Sequence, residues 1–504
     1  MRLVTSAAVA EIGTCCLVLH THLPWVAHAG AWPVGEEWLH QAFTSSWRRV
    51  IEVCERLAAE GRRELLSLGI SPTVAAMLDD PYCLNEIHRW TGNWVLRAEE
   101  LAARSEPLLR DLARFEYAAA SACLVDVEDR WLRGGSPILR RLSDDGVVEL
   151  LGGPVAHPFL PLLDDRLIAH ALRTGSDDAW LRWGSRLAGV WAPECGYRPG
   201  LEDIYAGQGI ARLLVDGPSL RGLTAAAHPI GESDVVAFGR DLEVTYRVWS
   251  PKSGYPGSAA YRDFHTFDHA SGFRPARVTS RQTAPQDKAP WDPVAAAAMA
   301  RRDARDFVDV VRRRLVDLAA ATGRRAVTVA AYDTELFGHW WYEGPVWLEE
   351  VLRRLPLAGV RVTTLRGAQE AGHVGPPVQI PASSWGSGKD WRVWAGPQVA
   401  DIVDANERLA TRLLSTVDAS RSHLRNRNLD QLCREAYLAL ASDWAFMVSK
   451  NSAADYARNR IATHSARFDR LRAAMDTDPV SATRIARELE HIDGPWRHLE
   501  ARLL

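Results

Sequence analysis

The run Thr14-Cys15-Cys16-Leu17-Val18-Leu19 is short and apolar, and His20-Thr21-His22 follows it directly. Such a run has the length and composition of a strand buried on both faces, as in a parallel sheet. The same pattern recurs along the chain. We expect strands at Thr14 to Leu19, Leu65 to Leu68, Val147 to Leu151, Gly189 to Trp191, Leu213 to Val215, Val244 to Trp249, Val327 to Ala331 and Val360 to Thr363.

Polar residues lie at the C-terminal ends of these predicted strands. In a parallel α/β barrel the active site is at that end of the strands. Helical patterns such as Trp38 to Glu60 and Pro293 to Ala321 separate several of the runs. This alternation predicts an α/β fold with a parallel barrel, and polar strand ends are typical of its catalytic side. No glycine-rich phosphate-binding motif follows the first strand, which argues against a nucleotide site. The polar residues at strand ends are His20, His22, Ser71, His157, Glu194, Asp216 and Asp333.

The chain divides by its pattern into a barrel and a helical end. We expect a catalytic barrel over residues 1–380 and an all-α C-terminal domain over residues 381–504, where amphipathic patterns replace strand patterns. Residues at about 84–142 have charged helical patterns without strand signals, which predicts a helical insertion. Residues at about 217–293 are rich in Gly, Pro and aromatic residues, so we expect a long active-site loop region there.

The composition excludes several classes of partner. The 60 basic and 63 acidic residues nearly balance, so no electrostatic footprint for nucleic acid or an anionic membrane is present and the substrate is predicted to be uncharged. The seven cysteines are scattered without C-x-x-C spacing, which argues against a disulfide framework or a zinc knuckle and favours a reducing, cytoplasmic location. No apolar run approaches the roughly 18 residues of a membrane span.

Two carboxylates stand directly behind predicted strands. Glu194 lies between a Pro and a Cys-Gly pair, and Asp333 lies between Tyr332 and Thr334. The alternative for Glu194 is a capping or ion-paired residue, and for Asp333 it is the N-cap of the next helix, with Glu335 as a competing acid. Two acids at barrel strand ends among aromatic residues favour glycoside chemistry, in which one acid attacks the anomeric carbon and the other protonates the leaving oxygen.

The histidines at strand ends allow two interpretations. His20, His22 and His157 could ligate a metal ion or donate hydrogen bonds to sugar hydroxyls. Neither an H-E-x-x-H motif nor a cysteine cluster supports the metal site, so we predict no metal and no other cofactor. The chain also has 20 tryptophans, whose flat rings either fill a core or stack on sugars.

Five segments, in order along nearly the whole chain, resemble the five motif regions of glycoside hydrolase family 57. The third and fourth are the specific ones. The second reads Ala156-His157-Pro158 where the family more often has Thr-His-Gly, which leaves fine substrate preference open. The five segments are His20 to Trp25, Gly153 to Pro161, Trp191 to Tyr197, Ala331 to Trp341 and Ala441 to Phe446.

The resemblance implies a fold and an activity. It implies an incomplete TIM-like (β/α)7 barrel followed by helices, with Glu194 as nucleophile and Asp333 as general acid/base. Within the family the chain looks most like the branching-enzyme subgroup, whose members retain configuration while moving α-1,4-glucan chains onto 6-hydroxyls, as in glycogen. The residues expected to bind the glucan are His20, His22, Trp32, His157, Tyr255, Trp385, Trp394, Asp443 and Trp444.

Other activities remain open at this stage. A 4-α-glucanotransferase or an α-amylase of the same family would share the two acids and differ in the acceptor. A metal-dependent carbohydrate hydrolase would use His20, His22 and an acid, and its activity would be lost with a chelator. A catalytically silent glucan-binding protein is the remaining alternative, against which the presence of Glu194 and Asp333 argues.

Overall fold

The computed structural model describes residues 10–31, 34–104, 107–250, 252–420 and 424–504. Trp32, one of the predicted glucan-binding residues, lies outside this part of the chain. The described strands are β1 (Gly13–Thr21), β2 (Leu66–Ile70), β3 (Val148–Leu151), β4 (Gly189–Val190), β5 (Arg212–Asp216), β6 (His228–Pro229), β7 (Val236–Arg240), β8 (Val327–Asp333) and β9 (Val360–Val362).

The strands form two sheets that are parallel apart from one short edge strand. In the first, β3, β2, β1 and β8 lie side by side in that order, and β9 also pairs with β1. In the second, β4, β5 and β7 are parallel and β6 runs antiparallel to β7. A parallel bridge between Gly152 and Val190 joins the sheets. On the other side, the Asp241 N–H donates to the Val329 carbonyl at 2.8 Å.

The central strand β1 explains why its sequence is continuously apolar. All nine of its residues are buried. Because successive side chains of a strand point to opposite faces, Leu17 and Leu19 pack into the main core while Cys16 and Val18 pack with β8 and Trp191. Both faces of the strand are therefore covered, and the predicted mixed α/β fold with parallel strands is confirmed.

Helices cover the sheets and form the C-terminal part of the chain. Between α1 and α2, Phe43–Trp47 form a π-helix, so the predicted helix at Trp38 to Glu60 is made of three consecutive pieces. The helices are α1 (Glu36–Ala42), α2 (Arg48–Ala59), α3 (Pro72–Met77), α4 (Pro81–Arg104), α5 (Pro107–Asp129), α6 (Ser136–Asp144), α7 (Asp165–Trp183), α8 (Leu201–Gly207), α9 (Leu242–Val248), α10 (Pro293–Thr322), α11 (Gly344–Leu357), α12 (Leu365–Glu370), α13 (Arg392–Ala395), α14 (Ala400–Ser420), α15 (Arg427–Ala439), α16 (Ser442–Lys450), α17 (Ala454–Thr477) and α18 (Pro479–Ile492).

One strand prediction is wrong. Val244 to Trp249 was expected to be a strand, but most of it lies in α9. The carboxylate of Asp241 accepts hydrogen bonds from the Glu243 and Val244 N–H groups, so it caps the helix and fixes its start. The strand instead precedes the cap, at β7, within the segment that was expected to be a loop region. From residue 252 to 292 the described residues of that segment form short 3-10 turns and isolated β-bridges, without an α-helix or a strand.

The C-terminal helices break where the chain meets the sheets. The helical run that begins at α15 divides after Ala439, and α16 begins at Ser442. At this break the Ser442 N–H donates to the His157 carbonyl at 3.0 Å. The helical part of the chain thereby contacts the turn that follows β3. None of the described helices is both long and apolar enough to cross a membrane.

Candidate active site

The parallel strands bring the predicted catalytic residues to one edge. Asp333 is the last residue of β8, and in the register of the sheet it pairs with His20 of β1. Glu194 follows β4 by four residues. Since the carboxyl ends of parallel strands meet at one edge of a sheet, side chains from separate segments converge there. The charge of Glu194 acts on Asp333 and raises its pKa.

Glu194 is held by its backbone and by both carboxylate oxygens. It lies in a 3-10 turn with a left-handed φ of 60°, and Cys195 follows with φ 48°, a conformation that is uncommon outside glycine and is typical of functional sites. The indole N–H of Trp385 donates to Oε2 at 2.9 Å, and the Ser442 hydroxyl donates to Oε1 at 3.1 Å. The side chain is therefore fixed in one orientation.

The surroundings of Glu194 favour its protonated form more than water does. Burial is the main cause, and the negative charge of Asp443 adds to it, so that the pKa of Glu194 is raised to about 7. The hydrogen bonds from Trp385 and Ser442 act in the opposite direction, because they stabilise the carboxylate. Glu194 is thus poised to change protonation state near neutral pH.

The side chain of Asp333 does not cap a helix, which was the structural alternative to a catalytic role. Its residue is the N-cap of the short 3-10 turn that follows β8, yet its side chain makes no capping hydrogen bond. Burial and the charge of Glu194 raise the pKa of Asp333 to about 7, against the opposing charges of Arg240 and His22. An uncapped acid with a raised pKa can hold a proton near neutral pH and donate it.

Glu335, the competing acid, is engaged elsewhere. It is buried, and its Oε1 accepts a hydrogen bond from the Trp47 indole of the π-helix. Burial, followed by the charge of Asp333, raises the pKa of Glu335 to about 8. Glu335 therefore has a structural role, since it links the π-helix to the turn that follows Asp333.

The three histidines form two hydrogen-bonded groups beside the acids, and the rings of His22 and His157 stack with centroids 3.7 Å apart. The Nε2 atoms of His20 and His157 are 3.0 Å apart, and Nδ1 of His157 lies 2.9 Å from the Ser442 hydroxyl. His22 bonds Ser71 through Nδ1 at 2.8 Å and Asp443 through Nε2 at 3.0 Å. Burial holds the pKa of His20 and of His157 well below the usual range. These two imidazoles are neutral at pH 7.

The metal alternative can be compared with this geometry. Potential ligand atoms of His22, His157 and Asp443 lie within 4.8 Å of one another. Both ring nitrogens of His22 are hydrogen-bonded to protein groups, and so are both nitrogens of His157. The ring nitrogens of His22 and His157 are therefore used within the protein, and either a metal ion or a sugar hydroxyl would have to replace one of these hydrogen bonds.

The predicted tryptophans divide into two groups. Trp385 lies at the site, since it contacts Glu194 and its ring packs edge-on against Trp191 at 5.1 Å. Trp394 and Trp444 are each 1% exposed. Trp394 stacks on Phe159 at 4.7 Å, and the Trp444 indole donates to a backbone carbonyl of the same helical region. These two rings form the core beneath the site and present no face to solvent.

Tyr255 also lies in a core, apart from the two acids. It is 6% exposed, and its hydroxyl donates to Asp306 on α10 at 2.6 Å. Its ring faces Trp341 and Trp347 at about 6 Å. In this conformation the side chain does not cover the site, and its predicted place over the cleft remains a prediction.

Several residues of the site were not singled out by the sequence. Ser442 links His157 to Glu194, although it stands in the fifth motif segment beside Asp443. Arg240 ends the strand that was missed, and its guanidinium lies 5.1 Å from the Trp385 ring. It forms a buried ion pair with Asp216, which also binds Lys389. β7 is not among the predicted strands. A strand prediction there would have singled out Arg240 as a polar residue at a strand end.

Two family models match the chain. The model described as glycosyl hydrolase family 57 matches residues 16–370, and the model described as the C-terminal part of 1,4-alpha-glucan branching enzyme matches residues 402–503. Together they cover both the strand-containing and the helical parts of the chain.

Individual relatives match over nearly the full length. A probable 1,4-alpha-glucan branching enzyme of Mycobacterium tuberculosis is 52% identical, and the match covers 98% of each chain. The crystal structure of a branching enzyme of this family from Thermococcus kodakaraensis superposes with a TM-score of 0.91 at 28% identity, covering 98% of this chain and 96% of that one. An α-amylase from Thermotoga maritima shares the fold, with a TM-score of 0.85 at 24% identity over 97% and 98% of the chains.

Proposed function

Since this chain belongs to glycosyl hydrolase family 57, we propose that it is a retaining 1,4-α-glucan branching enzyme. In this proposal Glu194 is the nucleophile and Asp333 is the general acid/base. The match of its C-terminal part to branching enzymes and the full-length likeness to named branching enzymes support the choice of acceptor.

The observation that carries the proposal is the contrast between the two acids. Glu194 accepts two hydrogen bonds that stabilise its ionised form, whereas Asp333 accepts no capping bond and lies in the field of Glu194. When two neighbouring carboxylates share a site, one ionises first and the other keeps its proton. The contacts favour Glu194 as the carboxylate and Asp333 as the acid.

In the first step the Glu194 carboxylate attacks the anomeric carbon of an α-1,4-linked glucosyl unit. The bond to the glycosidic oxygen breaks, and Asp333 gives its proton to that oxygen. The shortened glucan leaves with a free 4-hydroxyl, and the rest of the chain is joined to Glu194. An imidazole of His20, His22 or His157 that exchanges a protein hydrogen bond for one to a sugar hydroxyl would bind the glucosyl unit.

In the second step Asp333, now ionised, takes the proton of a glucan 6-hydroxyl. The resulting oxygen attacks the anomeric carbon and displaces Glu194, which forms an α-1,6 link with net retention. Water is the competing nucleophile, and a transferase must keep it out while it binds the acceptor. Trp385 and Ser442, which both donate hydrogen bonds to Glu194, form the part of the site wall closest to it.

We further propose that the two sheets form one incomplete (β/α)7 barrel. Seven parallel strands support this: β8, β1, β2 and β3 in the first sheet, followed across the Gly152–Val190 bridge by β4, β5 and β7. The hydrogen bond between Asp241 and Val329 lies where β7 meets β8. The ring of seven strands would explain why residues from β1, β4 and β8 reach one site.

The domain division and the compartment are also proposals. A barrel over residues 1–380, with α4 to α6 as its helical insertion and part of residues 217–293 as a loop region, would carry the acids. Residues 381–504 would complete the cleft, as the contacts of Ser442 and Asp443 suggest. A cytoplasmic location is supported by seven buried cysteines, each a free thiol.

Covalent trapping tests the role of Glu194 as nucleophile. A 5-fluoro-α-glucosyl fluoride should react with Glu194 and stay attached, because the fluorine slows the second step. Mass spectrometry should then find one added glycosyl group on the peptide that contains Glu194, and none in Glu194→Gln. Label on a different residue, or label that survives in Glu194→Gln, would refute this assignment.

A further inference from the structure

A large cavity lies outside the site just described. It has a volume of about 1110 Å³ and opens between α4, α5, the π-helix Phe43–Trp47 and the segments 262–274 and 338–342. Of the predicted catalytic and glucan-binding residues that the structure describes, none lines it. The volume exceeds the range of about 300–1,000 Å³ that is typical of small-molecule pockets. The cavity is therefore large enough for an extended ligand.

The lining is rich in aromatic rings that are only half-buried. Each of these rings has a covered part that fixes its orientation and an open part that can contact a ligand. Indole and phenol rings bind the apolar faces of sugars in this way. The six rings are those of Trp90, Trp94, Phe264, Phe267, Trp340 and Tyr342.

The polar groups of the lining are fixed and balanced in charge. Five arginines and five carboxylates line the cavity, so it is formally neutral apart from its histidines. The Trp90 indole donates to Glu37 and the Trp94 indole to Glu116, which locks both rings. Nε of Arg97 is buried without a hydrogen-bond partner. A neutral site with oriented rings and spare donors suits a neutral polyhydroxylated chain better than an anion.

The cavity is linked to the catalytic edge through shared elements. Thr44 and Ser45 of the π-helix line it, while Trp47 of the same helix holds Glu335, two residues after Asp333. Trp340 lies in the lining seven residues after Asp333. π-Helical segments are rare and occur often at functional sites. A chain held in this cavity would lie beside the wall of the catalytic site.

We propose that this cavity is a second α-1,4-glucan-binding site, which holds a segment of the polymer away from the two acids. The inference rests on the proposed function for the identity of the sugar. Its role is to raise the local concentration of chains at the catalytic edge, because a second contact makes binding of a long polymer multivalent. Short glucans, which cannot reach both sites, gain nothing from it.

The test compares long and short glucans in matched variants. Trp90→Ala combined with Trp94→Ala removes two rings, and Asn93→Trp fills the cavity from an exposed lining position without removing a core contact. Trp180→Ala, at an indole that is 55% exposed on α7, is the control. Binding is measured by mobility of the native protein in gels containing glycogen, together with kcat/KM on a short maltooligosaccharide, and thermal melting reports folding.

Both cavity variants should bind glycogen at least about fivefold more weakly than the parent, with unchanged kcat/KM on the short substrate. Trp180→Ala should behave as the parent does. Unchanged glycogen binding in the folded Asn93→Trp variant would overturn the second site, and equal losses on long and short substrates would make the cavity part of the catalytic cleft. An absence of turnover in the parent would contradict the proposed function instead.

Discussion

At the scale of single residues, the site depends on how two acids are surrounded. Among the described residues, neither Glu194 nor Asp333 forms an ion pair with a basic side chain, and burial is the main cause of the raised pKa of each. Glu194 differs from Asp333 because neutral donors bind its two oxygens. Small changes in those donors and in nearby charges should therefore move the pH range of activity more than they change the fold.

Trp385→Phe should lower kcat/KM on amylose by about 10- to 100-fold. The change keeps an aromatic ring but removes the N–H that donates to Glu194 at 2.9 Å, and a hydrogen bond to a charged group contributes about 1.5–3 kcal/mol. Trp180→Phe, on the exposed face of α7, is the matched control. Steady-state kinetics check the result, and a Trp385→Phe enzyme as active as the control would show that the indole N–H has no part in holding the nucleophile.

Asp443→Asn should move the acidic limb of the pH–kcat/KM profile to lower pH. The limb follows ionisation of the nucleophile, since the protonated acid cannot attack. Asp443 is one of the groups that raise the pKa of Glu194 to about 7, so removing its charge lowers that pKa and keeps Glu194 ionised in more acidic solution. The basic limb, on which Asp333 loses its proton, should move less.

Asp401→Asn, at an exposed residue of α14, provides the control for this profile. The two limbs report macroscopic pKa values of the coupled pair. A shift of the acidic limb to higher pH in Asp443→Asn, or no shift relative to Asp401→Asn, is the outcome that the charge argument does not allow.

At the scale of elements, the turn after β3 has to pass very close to α7. Gly175 lies within α7, and a Cβ there would come 2.1 Å from the Gly153 carbonyl oxygen. Gly153 begins the turn that ends at His157, where Ala156 and His157 both have a positive φ. The close packing of helix on turn therefore sets the position of a histidine that reaches Ser442.

Gly175→Ala should lower stability and activity together. The added methyl forces helix and turn apart, and overpacking of this kind destabilises by about 1–3 kcal/mol. Gly207→Ala, within α8, is the matched control because its Cβ would meet nothing within 4 Å. Thermal melting and kcat/KM are measured on both. If Gly175→Ala melts at the same temperature as Gly207→Ala, the contact with Gly153 does not constrain the turn.

Some strands could be predicted from the sequence, and β7 could not, for a reason that lies in the residues around it. Runs such as β1 and β8 were recognised because strands buried on both faces are continuously apolar. β7 was missed because its run ends in Gly239 and Arg240, while the apolar residues of α9 follow directly and resemble a strand. The Asp241 cap separates the two elements. In the sequence, a single Asp is a weaker indication of a helix start than a short apolar run is of a strand.

At the scale of the whole molecule, the site joins residues that are far apart in the chain. Ser442 and Asp443 come from the C-terminal helices and reach Glu194 and His22 after nearly the whole strand-containing part has intervened. Local pattern could place Glu194 and Asp333, since each follows its own strand. It could not separate Trp385, which touches Glu194, from Trp394, which fills the core, because both are tryptophans in the same short segment.

Whether a sugar hydroxyl or water accepts the transferred chain is decided by the products that the protein forms from amylose. The purified protein is incubated with amylose, and α-1,6 links are followed by proton NMR while new reducing ends are followed by a colorimetric assay. Glu194→Gln is the inactive control. Glu232→Gln, which changes an exposed loop carboxylate, is the active control. New α-1,6 links with few new reducing ends are expected in the parent and in Glu232→Gln, and neither product in Glu194→Gln. Reducing ends without α-1,6 links would mean that water is the acceptor and would indicate an amylase.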